Sequence, residues 1–289
     1  TYGFPLELTI ELCEEYSIEV DENGFKQEMD AQKERARSAR KSISSMGGQN
    51  EDYISFKDED HFTGYTKLEE ETKVLKAFPD GVVLENTPFY AESGGQVSDR
   101  GTIAFEDTIY EVEDVQKLPN GQFLHVISEH TLKDEDNVFA KVDQANRNAT
   151  MYNHSATHLL FAALREVIGT HVSQQGSNVS SEAMRFDFNN YDNLDDETLL
   201  QVEKIVNEKI KQNITVEVLE KTIDEAKEMG AIAEFGEKYG DKVRVVNMDY
   251  TVDLCGGTHV PNTGVIRKFA IASIESKGSG IYRIVGHAN

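Results

Sequence analysis

Two histidines, His154 and His158, lie four residues apart in a segment with helical periodicity. Side chains at this spacing project from one face of a helix, so the two imidazoles are expected side by side. Farther along the chain, Cys255 and His259 have the same spacing within DLCGGTHVPNTG. One sulfur and three ring nitrogens form a ligand set that suits tetrahedral zinc. The two pairs together therefore predict a split Zn²⁺ site.

Each of these residues also has a simpler interpretation. A single histidine beside an apolar helix face is more often a packed, hydrogen-bonded side chain than a ligand, and a free cysteine is often a small buried one. Cys255 is also consistent with a nucleophile that uses His259 as its base, and this alternative stays open. A zinc protease is disfavoured, because Ser155 stands where the zincin motif has its glutamate. A disulfide is disfavoured because Cys13 is the only other cysteine.

Periodicity indicates the elements that must position these residues. Residues 148–169 read NATMYNHSATHLLFAALREVIG, a strong amphipathic helix that should end at Gly169. Two further helices are expected near 193–213 and 222–230. The glycines between Cys255 and His259 are expected to let the backbone turn tightly. The pattern predicts an α+β region over residues 148–289, with strands at AMRFDF, ITVEVLEK, KVRVVNM and YTVDL.

The preceding part of the chain divides into two further predicted regions. Residues 1–50 have a helical pattern that ends in a Ser/Gly-rich linker, SISSMGGQN. Residues 51–147 contain short alternating runs and hairpin turns, which predict a β-rich, barrel-like subdomain. Within it, FYAESGGQVSDRG (89–101) is too polar for a strand, and its adjacent glycines permit a close backbone approach. The expected fold class is therefore α+β in three parts.

Composition limits the function without naming it. The 289 residues are 38% hydrophobic, and the net charge is −23, which argues against a protein that coats nucleic acid non-specifically. We find neither a secretory signal nor an apolar run of about 18 residues, so a cytoplasmic protein without membrane association is expected. Local basic positions nevertheless offer candidate nucleic-acid contacts. They are Arg35, Arg37 and Arg40 in KERARSARK, and Lys268 and Arg283 near the C-terminus.

Several segments resemble one enzyme family, in family order. NHSATHLLFAALREVIGTHVSQQGS, RFDF and CGGTHV resemble the editing domain of alanyl-tRNA synthetases, and FYAESGGQVSDRG resembles part of the β-rich subdomain before it. Residues 3–39 resemble the end of the helical tRNA-recognition region. The resemblance implies a middle portion of that enzyme, without its aminoacylation core or C-terminal oligomerisation region. It also implies an α/β zinc-containing editing subdomain of the threonyl/alanyl-tRNA synthetase second additional domain type.

The resemblance implies hydrolysis of the ester in Ser-tRNA(Ala) and Gly-tRNA(Ala), inside a parent enzyme that joins alanine to tRNA(Ala) with ATP. A pocket sized for alanine cannot exclude glycine by size and discriminates weakly against an added hydroxyl, so a second site is needed. The implied partner is the mischarged acceptor end of tRNA(Ala), with serine or glycine released. The implied zinc ligands are the four residues above, and the catalytic candidates are Thr157, Gln174 and Cys255.

Two other functions fit the same sequence features. A free-standing editing protein shares the β-rich and zinc subdomains, although such proteins generally lack a helical segment like residues 1–45. A zinc-stabilised RNA-binding module without catalysis is the second alternative. In either editing protein, four protein ligands would leave a tetrahedral zinc no open position. Zinc is therefore expected to organise the pocket, with water held by Thr157, Gln174 or a substrate hydroxyl.

Overall fold

The computed structural model describes residues 13, 24, 51–191, 194–231 and 242–289. The chain divides into two compact units, Thr1–Glu59 with Lys117–Gln122, and Asp60–Gln116 with Phe123–Asn289. In the first unit, Glu51–Ser55 forms helix α1. The amide of Asn120 donates hydrogen bonds to the carbonyls of Ile54 and Phe56 just after it. Cys13 and Gly24 are both helical, and the remainder of the predicted helical segment lies outside the described residues.

The strands of the β-rich region, here residues 60–142, are β1 His61–Phe62, β2 Glu69–Phe78, β3 Gly81–Leu84, β4 Asn86–Thr87, β5 Gly101–Phe105, β6 Thr108–Val112, β7 Asp114–Lys117, β8 Phe123–Val126 and β9 Asn137–Val142. The region is built on one seven-stranded sheet with the order β6-β5-β9-β2-β3-β8-β7. Its edge strands β6 and β7 are separated in sequence by one residue, Glu113, so the sheet curls until it is nearly closed. A short parallel pair, β1 with β4, lies outside it.

Alternation along these strands separates the core of the β-rich region from solvent. In β9, NVFAKV, burial alternates residue by residue, and Val138, Ala140 and Val142 face inward. Strand β3 is buried along its whole length, as expected for a strand covered on both faces. The apolar cluster that results also contains Val74, Leu84, Phe89, Ile103 and Val115. The sheet therefore curls around an apolar interior.

The elements of the helix–sheet region, here residues 143–289, are α2 Gln144–Val167, β10 Gln174–Val179, β11 Met184–Asn189, α3 Asp196–Lys211, β12 Glu217–Lys221, α4 Ile223–Glu228, β13 Val243–Asn247, β14 Val252–Leu254, a 3₁₀ turn Thr263–Ile266, β15 Phe269–Gly278 and β16 Ile281–Ala288. The helices pack on an antiparallel four-stranded sheet with the order β10-β11-β16-β15. A second antiparallel sheet contains β12, β13 and β14.

Individual residues explain why helix α2 begins and ends where it does. The side chain of Asp143 accepts hydrogen bonds from the N–H groups of Ala145 and Asn146, which satisfies two free donors of the first turn. At the other end, Gly169 takes φ = 140°, which disfavours any residue with a Cβ. The apolar stripe of α2 enters the core together with Phe186 and Phe188 of β11. The predicted helix and its stop at Gly169 are confirmed.

A mixed α/β fold with a nearly closed, barrel-like sheet is confirmed, while the α+β assignment and the predicted boundaries at residues 50 and 147 stay predictions. Helices α3 and α4 and strands β11 to β14 lie where the periodicity places them. Strand β10, QQGSNV, was not predicted, because its polar sequence lacks β-branched or apolar alternation. Within the described ranges, every helix is too short or too polar to cross a bilayer.

Candidate metal centre and adjoining cavity

The structure brings the four predicted ligand residues together. His154 and His158 project from α2, and Cys255 and His259 come from the loop that follows β14. One donor atom from each residue lies within 4.8 Å of the others, and together the four residues can hold a metal ion. The sulfur of Cys255 lies 3.4 Å from Nε2 of His154 and 3.2 Å from Nε2 of His259. A tetrahedral zinc with ordinary bond lengths needs donors about 3.3–3.8 Å apart, which these distances approach.

All three imidazoles are held from the outside through Nδ1, so that Nε2 faces the centre of the cluster. This is the usual arrangement of metal-binding histidines, whose second nitrogen is oriented by a nearby oxygen. Nε2 of His158 is also buried and has no hydrogen-bond partner within the part of the chain that the structure describes, which is rare for a polar atom unless an ion or water belongs there. The oxygens that face Nδ1 are Gln96 Oε1 for His154 (2.7 Å), Asp253 Oδ2 for His158 (3.1 Å) and Ser155 Oγ for His259 (3.1 Å).

The charges of the cluster suit a thiolate facing a positive ion. Burial opposes ionisation of Cys255, but the imidazoles of His154 and His259 outweigh it and hold the pKa of the thiol well below its usual value. Burial and His154 lower the pKa of His259 to about 3, so that its ring stays neutral. Burial also opposes a charged His158, but Asp253 raises its pKa. Metal binding requires a cysteine thiolate and neutral imidazoles, so Cys255 and His259 already favour the required state, whereas His158 would have to release a proton.

Gln96 reaches this cluster from the β-rich region. It follows Gly94 and Gly95, whose positive φ angles of 58° and 81° form the tight turn of ESGGQ. Beyond the turn, Gln96 pairs with Val179 of β10 as a parallel bridge. Its amide oxygen accepts the N–H of Thr258 (2.9 Å) as well as facing Nδ1 of His154. Because that oxygen only accepts, Nδ1 must donate, and the lone pair of Nε2 points into the cluster.

One glycine of the CGG sequence is required by packing. A Cβ on Gly257 would clash with the ring of His154 and lie 2.7 Å from Gln96 Oε1, whereas a Cβ on Gly256 would meet no atom within 4 Å in the described ranges. Neither glycine has a positive φ. The expectation that both glycines serve a tight turn therefore needs correction, because the structure requires Gly257 for its close approach to His154.

A cavity of about 250 Å³ adjoins the cluster. Thr157 and Gln174 line it together with His154, His158 and Cys255, so all the predicted catalytic candidates share one space. The hydroxyl of Thr157 donates its hydrogen to the carbonyl of Asn153 (2.7 Å) within α2. Its oxygen therefore has only acceptor capacity left for a group in the cavity. Nε2 of Gln174 lies 3.5 Å from Oγ of Ser177, at the limit of a hydrogen bond.

The residues predicted to contact nucleic acid either do not line the cavity beside the cluster or lie outside the described residues. Arg283 is held by Asp187 through two hydrogen bonds of 2.7 Å, so its charge is already paired. Lys268 is exposed beside a different concavity that includes Arg267 and His287. Arg35, Arg37 and Arg40 lie outside the described residues.

Gln96, Asp253 and Ser155 were missed from the sequence. For Ser155, the available signal in the sequence was its position directly after His154. For Asp253, it was a position two residues before Cys255. For Gln96, the signal was the pair of glycines in ESGGQ, which indicated a close approach but not its target. Contacts that join positions far apart in sequence, such as Gln96 to His154 and Thr258, depend on tertiary structure that periodicity does not encode.

Comparison with known proteins agrees with this geometry. Residues 1–146 match the family of class II (A) tRNA synthetases, and residues 243–285 match the threonyl and alanyl tRNA synthetase second additional domain. The chain belongs to the class II (A) tRNA synthetase family. The second match includes Cys255 and His259, half of the cluster. The resemblance to alanyl-tRNA synthetases is thereby supported from both ends of the chain.

Curated relatives give the same result. The chain is 50% identical to an alanine–tRNA ligase of Acholeplasma laidlawii over 284 residues, and 47% identical to those of Bacillus anthracis and Halalkalibacterium halodurans over 300 residues. Each match covers 98% of this chain and 33–34% of the relative. The chain thus spans about a third of the length of the curated relatives it matches, and the resemblance to alanyl-tRNA synthetases is confirmed.

Proposed function

We propose that this chain carries an editing site that hydrolyses the aminoacyl ester of Ser-tRNA(Ala) and Gly-tRNA(Ala). The observation that carries the proposal is the cavity in which Thr157 and Gln174 adjoin the histidine–cysteine cluster. The cavity's polar groups provide hydrogen bonds for a serine hydroxyl or an attacking water. Such discrimination is needed because an alanine site rejects a smaller or hydroxylated side chain only weakly.

The protein's part in the reaction is positioning rather than acid–base chemistry. An aminoacyl ester is already activated, so holding water and ester together lowers much of the barrier. The acceptor oxygen of Thr157 suits the substrate's amino group, a serine hydroxyl or a water molecule, while the amide of Gln174 can donate and accept. Neither side chain titrates near neutral pH. We therefore assign them orientation of the substrate and water.

The residues that would hold a metal are His154, His158, Cys255 and His259, and their donor set fits zinc. When bound, zinc would supply a fixed positive charge at one wall of the cavity. Because four protein donors complete a tetrahedral shell, we propose that these residues build the wall and that Cys255 is a ligand. A free cysteine nucleophile would need only one imidazole, whereas three converge here.

The proposal for the whole protein is broader. We propose that it ligates alanine to tRNA, as the names of its relatives suggest, and that it uses ATP and tRNA(Ala) in the cytoplasm, as the resemblance and the sequence features imply. The mischarged acceptor end would enter the cavity, and serine or glycine would leave. Lys268 and the arginines at 35, 37 and 40 remain proposed tRNA contacts. Arg283 is a weaker one, because Asp187 neutralises it.

The test measures deacylation of Ser-, Gly- and Ala-tRNA(Ala) by this chain. We expect the first two esters to be hydrolysed at least about tenfold faster than Ala-tRNA(Ala). Thr157→Val and Gln174→Ala should reduce this preference, and Thr108→Val, an exposed threonine on β6, serves as the control. Equal rates for all three esters would refute editing. Binding of tRNA without hydrolysis would favour a non-catalytic RNA-binding module. A seryl thioester trapped on Cys255 would favour the alternative in which Cys255 is a nucleophile.

A further inference from the structure

The loop that carries Cys255 is held by two side chains not yet considered. The hydroxyl of Tyr65, in the β-rich region, donates a hydrogen bond to the carbonyl of Gly256 (2.6 Å) across 191 positions of sequence. Arg244 of β13 donates to the carbonyls of Cys255 (2.7 Å) and Gly257 (2.8 Å). Three consecutive carbonyls of the loop are therefore bonded to these two residues.

Tyr65 is itself fixed in place. The guanidinium of Arg244 lies 4.1 Å from the centre of its ring, within the range of a cation–π contact. On another side, the ring of Phe62 meets it edge-on, with centroids 4.8 Å apart. Although Tyr65 is 48% exposed, these contacts fix the position of its hydroxyl. A surface tyrosine that changed rotamer freely would not keep its hydroxyl hydrogen-bonded to one carbonyl.

The Gly256–Gly257 peptide transmits this restraint to the sulfur. The peptide is trans, so the carbonyl of Gly256 and the N–H of Gly257 point in opposite directions from one rigid plane. The N–H of Gly257 donates to Sγ of Cys255 (3.4 Å). A bond that fixes the carbonyl therefore also fixes the direction of the N–H toward the sulfur.

Packing holds this peptide on its Gly257 side but little on its Gly256 side. Gly256 is exposed, and a Cβ added to it would meet no atom of the described residues within 4 Å, whereas Gly257 is buried against His154. A glycine has many accessible backbone conformations, so rotation of the peptide plane is restrained mainly by bonds to its own polar atoms. On the carbonyl side of Gly256, the hydrogen bond that restrains it comes from Tyr65.

We propose that Tyr65 is a positioning residue for the metal centre, acting through the Gly256–Gly257 peptide to hold an N–H group against the Cys255 sulfur. Hydrogen bonds to a metal-bound sulfur change its charge and its bond to the metal. The inference rests on the metal-binding part of the proposed function and is independent of ester hydrolysis.

The test compares Tyr65→Phe with Tyr250→Phe, using Co²⁺ as the probe. Tyr250 is a matched control, because its hydroxyl makes a bond of the same 2.6 Å length to Glu166, and within the described residues no hydrogen bond joins that hydroxyl to the loop. We expect Tyr65→Phe to shift the sulfur-to-cobalt charge-transfer band and to release metal to a chelator about 3–10-fold faster. Tyr250→Phe should behave like the unaltered protein. Circular dichroism verifies that both variants are folded.

The outcomes separate this inference from the proposed activity. An unshifted band and an unchanged release rate in Tyr65→Phe would overturn the role of Tyr65. An unaltered chain that takes up no cobalt would overturn both the role and the metal centre. Cobalt uptake with a shifted band in Tyr65→Phe, but without hydrolysis of Ser-tRNA(Ala), would support the role of Tyr65 and refute editing.

Discussion

The β-rich region and the helix–sheet region both bury histidines, but in opposite ways. In the β-rich region, His125 is fully buried, with Nε2 2.6 Å from Oγ1 of Thr87 and Nδ1 3.0 Å from the carbonyl of Val82. Both ring nitrogens therefore have partners. In the helix–sheet region, His158 has Asp253 at Nδ1 and a buried Nε2 with no hydrogen-bond partner among the described residues.

The contrast shows what separates a core histidine from a ligand. Burial alone does not, because His125 is the more deeply buried of the two. A ligand histidine has one nitrogen oriented by an oxygen and the other aimed at further donors. His154 and His259 share this pattern with His158, and His125 does not. The predictions that follow test this distinction, from the largest expected effect to the smallest.

Cys255→Ala should have the largest effect, because it removes the sulfur on which the imidazoles converge. We expect metal retention against a chelator to fall by more than about 100-fold. Hydrolysis of Ser-tRNA(Ala) should be lost with it. Hydrogen-exchange protection of strands β2, β3 and β9 should not change, since the core of the β-rich region contains no member of the cluster.

The matched control is Cys13→Ala, which removes the other free thiol. It should retain metal as the unaltered chain does. If protection were lost throughout the β-rich region in Cys255→Ala, the two regions would not differ in their dependence on metal. Full hydrolysis by a metal-free Cys255→Ala protein would contradict the proposed organising role.

Arg147→Met should be next, because it breaks a buried ion pair that joins the two regions. Arg147 and Asp99 are 2% and 3% exposed, and the guanidinium also donates to the carbonyls of Gly64 and Pro88. Removing the cation leaves Asp99 buried and unpaired, which should lower the free energy of unfolding by about 3–5 kcal/mol. Urea denaturation measures the loss.

Lys76→Met is the control for an exposed pair, since Lys76 and Asp134 are 40% and 46% exposed. It should cost less than about 1 kcal/mol. Equal losses in the two variants would show that burial does not determine the contribution of the Arg147–Asp99 pair. Adding Asp99→Asn to Arg147→Met should recover part of the loss, because the unpaired charge is then removed.

His125 should make the fold sensitive to acid. Burial lowers its pKa from 6.5 to about 4, so between these values the unfolded chain binds the proton and the folded chain does not. The stabilisation is complete above pH 6.5 and is lost as pH falls toward 4, by up to about 3 kcal/mol. Urea titrations at several pH values measure this contribution as the difference between the unaltered chain and His125→Gln.

Subtracting the free energy of unfolding of His125→Gln from that of the unaltered chain isolates the contribution of His125. The histidines of the cluster titrate in both proteins, so their contribution cancels. A stability difference that stays constant from pH 7 to pH 4 would show that His125 is not held neutral. A difference that grows as pH falls, with His125→Gln losing more stability than the unaltered chain, would reverse the expected sign.

Asp253→Asn should have the smallest of these effects. It removes the carboxylate beside Nδ1 of His158 but keeps a side chain of similar shape, so metal affinity should fall by about 10–100-fold. Competition with a chelator measures the change. Asp249→Asn is the control, because Asp249 is exposed at φ = 56°, a conformation that asparagine also accepts. Equal affinities in both variants would show that Asp253 does not orient His158.

The sequence predicts the metal centre better than its surroundings. Spacing within one helix and one loop is a local property, so His154, His158, Cys255 and His259 could be proposed from the residues and then from the resemblance. The helix α2 and its end at Gly169 follow from local periodicity as well. By contrast, Gln96, Tyr65 and Arg244 meet the cluster through contacts that cross between elements. Their positions depend on the register of strands, which no single segment encodes.

Strand β10 shows a second limit. Its polar residues have weak β-propensity, and its place in the sheet depends on pairing with β11 and on the bridge from Gln96 to Val179. Tertiary contacts therefore override the local preference there. The correction at CGG has the same origin, because the need for Gly257 arises from the ring of His154 and not from a turn of the loop itself.

The ESGGQ turn has a consequence for how such proteins can be recombined. It places Gln96 of the β-rich region against His154 and Thr258 of the helix–sheet region. A gene truncated between the two regions, or a chimaera that joins halves from distant relatives, would separate this glutamine from its imidazole. Recombination at this boundary should therefore weaken the hold on His154, whereas a crossover that keeps both regions from one parent leaves these hydrogen bonds intact.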